Sequence, residues 1–156
     1  MSTEAKPTYE QGRLQLEIYE LRREARLRQA RDWYFQNYFV DSLDDAMRIA
    51  APGTENGTLM MMVLGYWDQA CAFLNHGLLH EELFFETNGE FYAVWERFKP
   101  IIRQARERFV NKQFLGNVEK AANRYEAWME SRAPGHLAAM RQFTEQMRRQ
   151  PPAKAA

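Results

Sequence analysis

The segment from Thr58 to His76 carries apolar side chains at helical spacing on nearly every face. Leu59, Met62, Val63, Tyr66, Trp67, Ala70, Phe73 and Leu74 line one side, and Met60, Met61, Leu64 and Ala72 fill most of the rest. A helix apolar nearly all round must be surrounded by other elements, so this segment predicts a central helix with the remaining chain wrapped about it.

The flanking sequence supplies those elements, all of them helical. Thr8 and Gln11 form a capping-box pattern, and the charged run that follows to Asp32 has neither Gly nor Pro after Gly12. This predicts a long first helix from about residue 8, with Leu14, Ile18, Leu21 and Ala25 inward and the aromatics Trp33, Tyr34, Phe35, Tyr38 and Phe39 continuing toward the core. Ser42 followed by Asp44 and Asp45 reads as the cap of a short helix to about Ala50. Pro52-Gly53 and Asn56-Gly57 mark a loop before the central helix, and Gly77 sits where a C-cap glycine belongs. A short amphipathic segment over residues 78–86 closes at Asn88-Gly89.

Trp95, Phe98, Ile102, Ala105 and Phe109 then step by 3, 4, 3 and 4, the cleanest amphipathic stripe of the chain. Pro100 lies inside it, so a kink or break is expected there. Past Gly116, Val118, Ala121, Ala122, Tyr125, Trp128 and Met129 predict another helix, and Pro134-Gly135 divides it from a last one built on Leu137, Met140, Phe143 and Met147. Strand signals are nearly absent. The expected fold is all-α, an antiparallel helical bundle forming one domain over residues 1–150, with 151–156 as a disordered tail.

A length of 156 residues suits a single domain. Cys71 is the sole cysteine, which excludes an intrachain disulfide and a Cys-based zinc site; in its apolar helix it reads as a small core residue. The most apolar stretch, Leu59 to Trp67, is interrupted by Gly65 and falls well short of the roughly 20 residues a spanning helix needs. The N-terminus has no apolar signal-peptide core, so a cytoplasmic chain that does not enter the membrane is expected.

Net charge is zero, from 21 basic and 21 acidic residues, and the pI near 6.8 argues against a nucleic-acid partner. The zero conceals segregation: residues 1–40 sum to +1, 41–90 to −8 and 91–156 to +7. The acidic and basic segments are expected to close on each other, within one chain or between subunits.

Candidate chemistry is sparse. His76 and His80 have the spacing of two metal ligands on one helical face, with Glu81 beside them, but Gly77 interrupts the helix. The string from His80 begins like a zinc-protease helix and fails at Phe84, where the second histidine belongs. Di-iron bundles need Glu three residues before His, and those positions hold Phe73, Gly77 and Ala133. Glu81, Glu82, Glu86 and Glu90 read as a solvated acidic edge, and no cofactor is expected. Lys99, Arg103 and Arg106 share a helical face that suits phosphates or an acidic partner, with Arg97, Arg108 and Lys112 nearby, yet aromatics to stack bases are not interleaved. Asp68 breaks the apolar helix; if buried it must be paired, and Arg103 or Arg106 is the expected partner.

The stretch running from Tyr66-Trp67-Asp68, through Gly77-Leu78-Leu79 and Glu81-Glu82-Leu83-Phe84, to Trp95-Glu96 and Lys99-Pro100-Ile101-Ile102 with Arg106 resembles an uncharacterised bacterial family of small all-helical domains of unknown function. The resemblance covers roughly residues 58–130 and implies the fold and the order of helices; it implies no reaction, ligand or catalytic residue. Four Trp, ten Phe, seven Tyr and eight Met exceed what a small core readily encloses. The leading expectation is therefore a non-enzymatic protein acting through contact with itself or another protein, with Met60 to Met62 and Trp33 to Phe39 as the apolar surplus. Two alternatives stand beside it: a metal- or small-molecule-dependent enzyme using His76, His80 and Glu81, and anion or nucleic-acid binding on the Lys99, Arg103 and Arg106 face.

Overall fold

The structure is a computed structural model that describes residues 5–150; the expected tail at 151–156 lies outside the described residues. Nine α-helices and one 3-10 turn make up its regular structure, with no strand among the described residues. In order these are α1 (Tyr9–Arg22), α2 (Ala25–Asn37), α3 (Leu43–Ile49), α4 (Glu55–Asn75), α5 (Glu81–Thr87), α6 (Glu90–Phe98), the 3-10 turn (Lys99–Ile101), α7 (Ile102–Arg108), α8 (Gly116–Arg132) and α9 (His136–Arg149). No helix is long and apolar enough to cross a membrane among the described residues.

The apolar segment is the central helix α4, packed between α2 and α8 with Val63, Leu64, Trp67 and Cys71 fully buried. α1 lies antiparallel to it: Gln11 reaches the Gly77 carbonyl beyond the end of α4, while Tyr66 donates to the Ile18 carbonyl nearer its middle. Thr54 caps α4, and Gly57, read from sequence as part of the loop, sits in the first helical turn. It is glycine because a Cβ there would lie 2.1 Å from the Ala51 carbonyl oxygen.

The long first helix is in fact two. Thr8 and Gln11 form their capping box, but the chain breaks at Arg23-Glu24, where the Glu24 carboxylate accepts from the amides of Arg26 (3.0 Å) and Leu27 (2.9 Å) and starts α2. Those backbone bonds hold the Glu24 carboxyl below its ordinary pKa. The break resets the helical phase. Leu21 and Ala25, expected inside, are exposed, and the inward face resumes with Leu27, Ala30 and Tyr34.

Pro100 produces the expected interruption as the 3-10 turn. Ile101 and Ala105 remain buried beyond it, but Phe109, last of the stripe, is half exposed because α7 ends at Arg108 and Val110 turns the chain at φ 50°. Nor is the Trp33 to Phe39 cluster surplus, since Tyr34 and Tyr38 are fully buried and stacked, and Tyr38 stacks in turn on Phe98. Met60 and Met62 pack on the core, leaving only Met61 of the three exposed.

Candidate functional site

Of the residues singled out for metal or acid–base chemistry, His80, Glu81, Glu82 and Glu90 have structural partners. His76 is the exposed C-cap of α4, whereas His80 caps α5, its Nδ1 accepting from the Leu83 amide at 3.2 Å. Gly77, at φ 75°, ends the helix between them. Glu81 bonds Arg124 at 2.8 Å, and Glu82 accepts from Trp128 Nε1 at 2.8 Å and pairs with Arg132, so both acids hold α5 against α8. Glu90 accepts from Arg31 and, at 3.2 Å, from Trp67 Nε1; Glu86 is exposed. Among the described residues no three His, Cys, Asp or Glu side chains are grouped to hold a metal ion. Burial pushes the Cys71 thiol well above its ordinary pKa, which removes it as a nucleophile near neutral pH.

Asp68 is not paired with Arg103 or Arg106. Its Oδ1 accepts from the backbone amides of Asn117 (3.1 Å) and Val118 (3.0 Å), and its Oδ2 from Asn117 Nδ2 (3.2 Å). These amides open α8, whose own N-cap residue, Leu115, offers no side-chain oxygen. Asp68 therefore caps α8 from a neighbouring helix. The expected basic face is also internally matched: Lys99 lies beside Glu96, Arg103 beside Glu107, and Arg106 donates to Glu119 at 2.6 Å and to the Phe114 carbonyl at 3.0 Å.

Two features escaped the sequence reading. The first is the outer face of α1, where Tyr9 is 79%, Leu16 66% and Tyr19 46% exposed, while Ile18 is the only residue of that helix buried. With Gly12 and Arg23 these positions step by 3, 4, 3 and 4 on the face opposite Ile18. That period was readable, but the stripe Leu14, Ile18, Leu21, expected to face inward on the same helix, masked it.

The second is Arg97, only 8% exposed. Its Nη1 donates to the carbonyls of Tyr34 (2.9 Å) and Phe35 (2.6 Å) in the last turn of α2, and its guanidinium carbon lies 4.3 Å from the Phe39 ring centre and 5.0 Å from that of Phe35. Burial lowers its pKa to about 10. No carboxylate pairs with it among the described residues. The sequence signal was its register, three after Val94 and four before Ile101, both buried.

A family model described as a domain of unknown function, DUF4760, matches residues 7–125, and the chain belongs to that family. The match takes in α1 through α7 and more than half of α8, and α9 lies beyond it. Neither a curated protein nor a solved structure matches the chain.

Proposed function

We propose that this member of the DUF4760 family is a non-catalytic helical module that self-associates through the outer face of α1. The observation that carries this reading is the inversion of that helix: Tyr9, Leu16 and Tyr19 point to solvent while Ile18 alone is buried. Apolar side chains at the spacing of a two-helix seam, outside the core, call for a second helix.

A second copy of α1 fits. Set antiparallel about a two-fold axis at Leu16, each Leu16 meets its twin, Tyr9 faces Arg23 of the other copy, and Arg13 comes within a turn of Glu20. One patch then supplies both halves of the contact, as an isologous interface requires. Gly12, one turn from the axis, adds no side chain to this face, and nothing lies within 4 Å of where its Cβ would sit. Within one chain Arg13–Glu17 and Arg23–Glu20 are long, exposed ion pairs at 3.7 and 3.6 Å, so exchanging them across an interface costs little.

A single helix face lies at the small end of protein interfaces, so the dimer should dissociate on the order of tens of micromolar. Sedimentation velocity across a concentration series tests this: wild type should pass from monomer to dimer, and Leu16→Glu should stay monomeric with an unchanged thermal melt. Wild type that sediments as a monomer at every concentration overturns the proposal.

A further inference from the structure

Arg97 carries more donors than the fold uses. Nη1 is committed to the end of α2, but Nε and Nη2 have no acceptor among the described residues, and neither is among the side-chain atoms sealed from solvent without a partner. These two N–H groups form the side edge of the guanidinium fork, the edge that grips a carboxylate with two parallel bonds. Beside Arg97 lies a cavity of about 230 Å³ between α6, the α2–α3 connection and α9, with Phe39, Pro100 and Met140 among its apolar walls. At the roughly 30 Å³ a liquid water occupies, that is room for about seven waters.

We propose that this cavity binds a small organic monocarboxylate, its carboxylate held by the free edge of Arg97 and its apolar body lying against Phe39, Pro100 and Met140. A buried cation without a counter-charge is costly, and two carbonyls and two aromatic faces offset only part of that cost. An anion completes the set. The surrounding charge selects its valence. Arg141 and Arg148 also line the cavity but are bonded to Glu96, Glu126 and Asp41. Asp41, Glu96 and Glu145 line it too, so apart from Arg97 the lining holds two cations against three carboxylates, and the second charge of a dianion would be desolvated with no further cation to meet it. The volume accommodates a body the size of a benzene ring.

The test is isothermal titration of the full chain with benzoate, with benzamide and inorganic phosphate as comparisons. Benzoate should bind saturably, with a dissociation constant on the order of a millimolar or tighter, and benzamide and phosphate should give no saturable heat. Arg97→Lys, which keeps the charge and loses the fork, should weaken benzoate by about tenfold or more. Because Arg97 also closes the end of α2, a second variant is needed: Met140→Trp fills the cavity from α9 with Arg97 intact, and should abolish benzoate binding while leaving the melt of the domain in place. Absence of saturable benzoate binding, benzamide or phosphate binding as tightly, or unchanged affinity in Met140→Trp overturns the proposal.

Discussion

At the scale of single residues, Asp68 shows what a sequence reveals about a polar group in an apolar helix. Its need for a partner was legible, because a carboxylate inside α4 has to be compensated. The partner was not. Arginines announce themselves in a sequence, whereas the first amides of α8 carry donors that belong to every residue and leave no mark. Leu115, in left-handed conformation at φ 55°, brings α8 up to α4 without a cap of its own, and Asp68 supplies the missing oxygen. Asp68→Ala should therefore destabilise the chain by about 1–2 kcal/mol, as loss of an N-cap does. Asp68→Asn, which keeps one acceptor, should cost less, while Arg103→Ala should leave stability unaltered. Urea unfolding of the three variants measures this, and an effect of Arg103→Ala equal to that of Asp68→Ala would restore the ion-pair reading.

Among elements, legibility followed the residue types that start and stop helices. Thr8 and Ser42 each cap a helix through the expected side-chain oxygen, Thr54 caps α4 from within what reads as a loop, and Gly77 and Gly135 turn the chain at positive φ. The break between α1 and α2 was hidden because Glu24 performs the capping, and glutamate in a charged run reads first as an i,i+4 ion-pair partner. Missing that one boundary carried the expected inward face on to Ala25 instead of resuming it at Leu27, while the exposed ridge from Tyr9 to Tyr19 was hidden by the stripe expected beside it. Glycines were ambiguous in the same way, since the letter does not separate a close approach from an idle position. Gly57 and Gly65 both lie in α4; a Cβ at the first would strike the Ala51 carbonyl oxygen at 2.1 Å, and at the second would meet nothing within 4 Å. Their alanine variants should move stability in opposite directions. Gly57→Ala should cost about 1–3 kcal/mol through overpacking against backbone, and Gly65→Ala should gain about 0.5–1 kcal/mol from lower unfolded-state entropy. Thermal unfolding of the two proteins decides it, and equal shifts of the same sign would remove the distinction.

For the whole molecule, the balance of charges acquires a geometry. The acidic segment 41–90 and the basic segment 91–156 meet inside one chain through Arg124–Glu81, Arg132–Glu82 and Arg148–Asp41. Segregation was visible in the sequence, but which helices it ties together was not, because the pairs join residues from 43 to 107 positions apart. The last of these pairs matters most for α9, which buries only Leu137, packs Met140 partly against the core and is tied further along by the ion pairs of Arg141 and Arg148. Arg148 holds the Asp41 carboxyl below its ordinary pKa. A lowered folded-state pKa means that the contribution of the pair is complete above the unfolded value of about 3.9 and is lost as pH falls through the folded value. Protection of the last two turns of α9 against amide exchange should thus be constant from neutral pH down to about 4 and fall below it. Asp41→Asn removes the charge without acid, so at neutral pH it should show the same loss of protection in residues 144–149 while α4 and α8 keep theirs. Exchange measured by mass spectrometry resolves the two regions. Full protection of α9 in Asp41→Asn would mean that the apolar contacts of Leu137 and Met140 suffice to hold the helix, and that the charge segregation of the chain does not fix its C-terminal end.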